Sequence, residues 1–122
     1  IITTPEVAEE YGKPLPPWIE IKSVKDIEKK KSLELTVDEG EASAIALALE
    51  EDNALILLDD LKARKIAQQL RLRITGTLGI INKAKNQRII LNVKPFLLAL
   101  KNTNFRISDN IIQEMLRQNN EL

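Results

Sequence analysis

The stretch that most constrains the fold runs from Glu39 to Leu61 and reads EGEASAIALALEEDNALILLDDL. Small and apolar residues lie nearly all round its first part, which predicts a buried helix packed on a sheet. Asp52-Asn53 supplies a turn. Ala54–Leu58 is then an apolar run without alternation, typical of a central parallel strand covered on both faces. The stretch therefore predicts a helix and a strand that both carry acids at their ends.

The remaining chain alternates short apolar strands with helices. Strands are predicted at Ile1–Ile2, Ile19–Ile21 and Leu72–Thr75, and the run KDIEKKKSLEL predicts a short helix. The predicted helix caps are Thr4, Thr36 in a capping box with Glu39, Asp59, Thr77, Asn92 or Val93, and Ser108. Strands alternating with helices indicate an α/β layered domain with a mainly parallel sheet. At 122 residues we expect a single domain, 1–122.

Composition excludes several kinds of chemistry. The chain has no cysteine and no histidine, which excludes thiol catalysis, histidine-dependent triads and zinc sites of the usual ligands. Aromatic residues make up 3% of the chain, too few for binding single strands by base stacking. The net charge of zero does not indicate a nucleic-acid binder. No membrane span or signal peptide is visible, and we expect a cytoplasmic protein.

The carboxylates are the candidate functional groups. Asp59 and Asp60 follow the apolar strand, Glu41 lies in the first turn of the preceding helix, and Glu9 and Glu10 lie on the helix after the first strand. Functional groups in α/β sheets gather at such strand ends. Converging carboxylates repel one another unless a divalent cation neutralises them, and Mg²⁺ or Mn²⁺ prefers oxygen ligands. The alternative is structural, because acids at helix starts also serve as caps and complement the helix dipole.

Two groups of basic residues have two interpretations each. Lys62, Arg64 and Lys65 come just after the acids, and Lys29 to Lys31 form a run of three. Each group forms either a solvated helix face or a set of contacts to backbone phosphates. The pattern favours the solvated face.

Several strings together resemble one protein family. They are GEASAIALALE, LILLDDLKARKIA, ITGTLGIINKAK, VKPFLLAL and FRISDNIIQEML. With PEVAEEY they closely resemble PIN-domain proteins, in a VapC-like branch. The resemblance implies a three-layer α/β/α sandwich and an RNA-cleaving hydrolase dependent on Mg²⁺ or Mn²⁺. It also implies a toxin–antitoxin role, with a homodimer restrained by a small cognate antitoxin protein.

The resemblance also assigns the site. Glu10, Glu41 and Asp60 match the family's metal-binding acids, Asp59 is an assisting or alternate ligand, and Gly76-Thr77 matches a structural turn. The family's first strand, which ends in an Asp, has no counterpart here, and we expect an N-terminally truncated domain.

Three functions follow as hypotheses. The first is a ribonuclease in which a metal-activated water attacks the phosphodiester. The second is a non-catalytic PIN-like module that binds nucleic acid or protein. The third, a phosphatase-like enzyme, is disfavoured because the chain has no motif for a covalent nucleophile.

Overall fold

The structure is a computed structural model and describes residues 1–122. Four short strands and seven longer helices follow one another along the chain. The strands are β1 Ile2–Thr3, β2 Glu20–Ile21, β3 Leu55–Leu57 and β4 Arg73–Thr75. The helices are α1 Pro5–Tyr11, α2 Ile27–Leu33, α3 Glu39–Glu50, α4 Leu61–Gln69, α5 Thr77–Asn86, α6 Lys94–Lys101 and α7 Asp109–Gln118. The chain divides into an N-terminal unit, Ile1–Gly76, and a C-terminal unit, Thr77–Leu122. None of the helices has the length and apolar character needed to cross a membrane.

All four strands belong to the N-terminal unit and pair in parallel. β1 pairs with β2 and β3 pairs with β4, which gives two two-stranded sheets. Parallel strands need a crossover, and helices supply it in both cases. The predicted α/β class with parallel strands is therefore confirmed.

Helix α3 forms the centre of this unit. Its residues Ala42, Ile45, Ala46 and Leu47 are buried among side chains of the strands and of α4. Alanines on α3 and α4 let helices and strands approach closely, because they carry no bulk beyond Cβ. The prediction of a buried helix packed on a sheet is confirmed.

Strand β3 differs from the prediction. Ile56 and Leu58 are buried, but Leu55 is 40% and Leu57 48% exposed. The strand has one neighbour, β4, and side chains on successive residues point to opposite faces. The prediction of a central strand covered on both faces is wrong, since only one face of this two-stranded sheet is covered.

Three predicted helix caps are wrong by one or two residues. Asp38, not Thr36, caps α3 by accepting a hydrogen bond from the backbone N–H of Glu41, while the Thr36 hydroxyl donates to the carbonyl of Leu33. Asp60, not Asp59, caps α4 by accepting from the N–H of Ala63.

Thr77 lies inside α5 as its first residue. The caps at Thr4 and Ser108 are confirmed, and α6 begins after Val93, which has no side chain able to cap it.

The C-terminal unit is helical and has a separate core. Val93, Leu97, Ile112, Met115 and Leu116 are buried together. Of the apolar face predicted for α7, Ile112, Met115 and Leu116 are buried, whereas Ile111 is exposed.

Candidate functional site

An open cleft of about 360 Å³ lies between α1 and the start of α3. We call it the acidic cleft, and its lining residues are Glu6, Glu9, Glu10, Asp38, Glu39 and Gly40. Every side chain that lines it is a carboxylate, because Gly40 has none. Such a cleft attracts cations and repels phosphate unless a cation intervenes.

Hydroxyl groups hold α1 against α3 beneath the cleft. Thr4 Oγ1 and Ser43 Oγ are 2.7 Å apart and buried, and the Ser43 hydroxyl donates to the carbonyl of Gly40 at 2.7 Å. Since Ser43 has a single proton, the Thr4 hydroxyl is the donor to Ser43. Thr4 Oγ1 in turn accepts from the N–H of Val7 and caps α1. Each buried hydroxyl is therefore satisfied while it joins the two helices.

Gly40 allows the two acidic helices to approach each other closely. A Cβ at this position would lie 2.6 Å from Glu10 Oε2 and 3.6 Å from Val7 Cγ2. The carboxylate of Glu10 therefore rests against the backbone of α3, one residue before Glu41. This contact places the Glu10 carboxylate at the first turn of α3, while its role as a metal ligand stays a prediction.

Glu41 is the most perturbed carboxyl in the chain. Burial, together with a hydrogen bond to the Asp38 carboxylate and the negative charges of Asp38 and Asp60, raises the pKa of Glu41 to about 7. The backbone N–H of Asp38 also donates to the Glu41 carboxylate and acts in the opposite direction. Asp38 and Glu41 thus form a reciprocal capping box, in which each side chain binds the other residue's backbone N–H. At neutral pH about half of the Glu41 side chains carry a proton.

Asp60 and Asp59 differ in their surroundings. Asp60 is exposed, caps α4, and contributes its charge to the environment of Glu41. Asp59 faces the turn after β4, where Asp59 Oδ1 and Arg64 Nη1 would each lie 3.0 Å from a Cβ on Gly76. The negative charge of Asp60 therefore acts on Glu41 from the start of α4.

The predicted basic residues of α4 separate into two kinds. Arg64 is half-buried and donates through Nη1 to the carbonyl of Leu58 at 2.9 Å, which ties α4 to the end of β3. Lys62 and Lys65 are exposed. Contact between these residues and a phosphate backbone stays a prediction.

Lys30 is the cation closest to the acidic cleft. Its Nζ atom lies 3.5 Å from Glu6, 3.5 Å from Glu34 and 3.7 Å from Glu39. Burial lowers the pKa of Lys30, but the charges of these three acids more than offset this and raise it above its ordinary value. Lys30 therefore stays charged and bridges α1, the end of α2 and α3.

The donor chemistry suits a hard divalent ion, although the carboxylates do not form a complete ligand cage. No group of three or more acids is close enough to hold one metal ion between them. Glu41 and Asp38, however, are joined by a side-chain hydrogen bond at the start of α3, and Asp60 adds negative charge from the start of α4. Mg²⁺ commonly binds through one or two carboxylates and keeps several waters. The site fits an ion held in that way, not an all-protein cage.

Comparison with known families identifies the chain. A family model described as PIN domain matches residues 1–121, and the chain therefore belongs to the PIN-domain family. This confirms the resemblance and the PIN-like α/β/α fold class, while the VapC-like branch stays a prediction. Neither a curated protein nor a solved structure matches the chain significantly.

Asp38 and Lys30 were not predicted as site residues. The sequence does carry a signal for Asp38. Asp38-x-x-Glu41 and Thr36-x-x-Glu39 both have the spacing of a capping box. Nothing in the run Lys29–Lys31 marks the middle lysine, since its role depends on which side of α2 faces α1 and α3.

Proposed function

We propose that the chain is a metal-dependent ribonuclease domain that hydrolyses RNA phosphodiesters. Its membership of the PIN-domain family supports a nuclease-type function with a divalent cation. The observation that carries the proposal for this chain is the acidic cleft between α1 and α3, where the carboxylate of Glu10 rests against Gly40. The raised pKa of Glu41, about 7, caused by burial and by Asp38 and Asp60, supports it. Carboxyls with perturbed pKa values cluster at functional sites, because burial and neighbouring like charges there favour binding of a positively charged ligand.

In this proposal Glu41 and Asp60 would hold Mg²⁺ or Mn²⁺, with waters in the remaining positions, and Asp38 lies beside Glu41 as its hydrogen-bond partner. Glu10 approaches from α1, and Asp59 assists from the end of β3. When bound, the cation would supply a water of lowered pKa and would stabilise the charge that develops on the phosphate.

The chain's own residues prepare this chemistry. Glu41 would be a ligand in its deprotonated form, so cation binding would weaken as the pH falls below about 7. The backbone N–H groups of Glu41 and Ala63 fix the Asp38 and Asp60 carboxylates. Lys62 and Lys65 are exposed and would contact backbone phosphates of the RNA, with Arg64 contributing through its charge.

The finer assignments belong to the same proposal. We infer a VapC-type toxin, restrained by a small antitoxin and acting as a homodimer in the cytoplasm. The exposed leucines of β3 are compatible with an apolar segment of a partner protein. The acidic cleft is compatible with RNA whose phosphates are neutralised by a cation.

The test uses a substitution that preserves the fold. Asn caps a helix as well as Asp does, so Asp60→Asn keeps the cap on α4 while it removes the charge near Glu41. We expect Mn²⁺-dependent cleavage of a fluorescent RNA to fall on the order of a hundredfold with little change in thermal unfolding. The matched control is Asp109→Asn in the first turn of α7. Cleavage that survives Asp60→Asn would remove Asp60 from the site.

A second candidate is a non-catalytic PIN module that binds RNA or protein. The absence of any group of three or more acids able to hold a metal ion favours it. Calorimetric titration with Mn²⁺ separates the two candidates, because a module without the chemistry would show no saturable heat that depends on Glu41.

A further inference from the structure

The acidic cleft raises a question of charge balance. α1 contributes Glu6, Glu9 and Glu10, and the start of α3 contributes Asp38 and Glu39, yet α1 and α3 pack closely. Like charges at such separations repel, and the Thr4–Ser43 hydrogen bond lies beneath the cleft and carries no charge. A cation held near these carboxylates would reduce this repulsion when no metal ion is bound.

Lys30 has the position to do so. Its ammonium group lies within 3.7 Å of a carboxylate on α1, one on α3 and one at the end of its own helix. The Lys30 side chain is only 18% exposed, and one oxygen of Glu6, Oε2, is buried with no hydrogen bond. Lys30 is then the nearest positive charge to that oxygen.

The neighbouring lysines show that this is specific to Lys30. Lys29 and Lys31 belong to the same helix but form no ion pair, and Lys31 is exposed. A solvated lysine run would place all three side chains in water. An isolated exposed ion pair contributes little, whereas Lys30 joins three acids from three parts of the chain at a largely buried position.

We propose that Lys30 is a positioning residue of the acidic cleft, where its ammonium group balances Glu6 against Glu39 and so holds Glu10 against the first turn of α3. That Glu10 and Glu41 bind a cation depends on the proposed function. That Lys30 helps to attach α1 to α3 does not depend on it. Lys30 itself touches neither cation nor substrate.

The experiment compares Lys30→Met with Lys29→Met and Lys31→Met, which remove the same charge from the same helix. Mn²⁺ affinity is measured by calorimetry at constant ionic strength and pH 8. Loss of a positive charge near the cleft should by itself leave affinity unchanged or tighten it. We expect the two control variants to behave so. Lys30→Met should instead weaken Mn²⁺ binding on the order of tenfold because Glu10 is no longer held in place.

Lys30→Arg keeps the charge and should recover most of the affinity. Binding by Lys30→Met that is as tight as in the two controls would overturn the proposal.

A second measurement keeps the two proposals apart. In EDTA, hydrogen exchange at the α1 amides should be faster in Lys30→Met than in either control, because α1 loses its ionic link to α3 and keeps only the Thr4–Ser43 hydrogen bond and apolar packing. If wild-type protein binds no Mn²⁺ but this difference appears, the proposed function fails and the role of Lys30 stands. If the α1 amides exchange equally in all three variants, Lys30 has no positioning role.

Discussion

Two carboxyls placed at helix starts have opposite environments. Glu41 lies in the first turn of α3, and Glu121 reaches the first N–H groups of α6. Burial acts to raise the pKa of both. At Glu41 the neighbouring Asp38 and Asp60 add to this effect, and the pKa reaches about 7. At Glu121 the hydrogen bonds from Lys85 and from two backbone N–H groups outweigh burial, and the pKa is lowered.

The difference separates a structural carboxylate from a functional candidate. Glu121 accepts from Lys85 at 2.6 Å, from Val93 N at 2.9 Å and from Lys94 N at 3.0 Å, and its side chain is 8% exposed. It supplies the cap that Val93 cannot give to α6. Glu41 lies near the acids Asp38 and Asp60, and a positively charged ligand would stabilise its ionised form. We call the Glu121 contacts the Glu121 clasp.

The largest effect should follow loss of the Glu121 clasp. Glu121→Ala leaves the N–H groups of Val93 and Lys94 without an acceptor and removes the partner of Lys85. We expect the free energy of unfolding of the C-terminal unit to fall by about 2 kcal/mol, measured by urea denaturation at pH 7. Glu114→Ala on the exposed face of α7 loses only surface contacts with Arg117 and Gln118 and should change stability by less than about 0.5 kcal/mol. Equal effects of the two substitutions would contradict the clasp.

The comparison also shows which features could be predicted from sequence. The caps at Thr4 and Ser108 could be predicted because such caps depend on residues that are neighbours in the chain. Glu121 could not be predicted, since its partners lie 27 to 36 positions away. Lys30 could not be singled out either, because its contact with Glu6 depends on how α1 packs against α2. Placement of Glu10 near Glu41 could be expected from the PIN-domain resemblance, but its contact with Gly40 depends on how closely α1 and α3 pack.

The next largest effect is the dependence of stability on pH, which has opposite signs for Glu41 and Glu121. Because the pKa of Glu41 is raised from 4.5 to about 7 in the folded chain, its stabilising contribution is complete below pH 4.5 and is lost as the pH rises through about 7. Glu121, whose pKa is lowered, contributes above its ordinary pKa and loses that contribution only as the pH falls below it.

Between pH 5 and 8, in EDTA, wild-type protein should therefore lose stability on the order of 1 kcal/mol, a figure reduced for solvent screening because Glu41 is only half-buried. Glu41→Gln stays neutral and should remove this slope, while Glu114→Gln should keep it. Urea denaturation at the two pH values measures the difference. An unchanged slope in Glu41→Gln would assign the pH dependence to another group.

The smallest effect on stability, and the sharpest test of the acidic cleft, is expected from Gly40→Ala. The new Cβ would meet Glu10 Oε2 at 2.6 Å, and since this is the far end of a flexible side chain, the Glu10 carboxylate can swing away at little cost. Alanine also suits a helix better than glycine, by about 0.5–1 kcal/mol, so stability should stay within about 1 kcal/mol of wild type. Mn²⁺ affinity, measured by calorimetry, should nevertheless fall, because Glu10 no longer lies against α3.

Gly79→Ala, at an exposed position on α5, is the control, because it gives the same helix preference without displacing an acid. Unchanged Mn²⁺ affinity in Gly40→Ala would show that Glu10 is a surface residue and not a ligand, and would leave Glu41 and Asp60 to hold the cation.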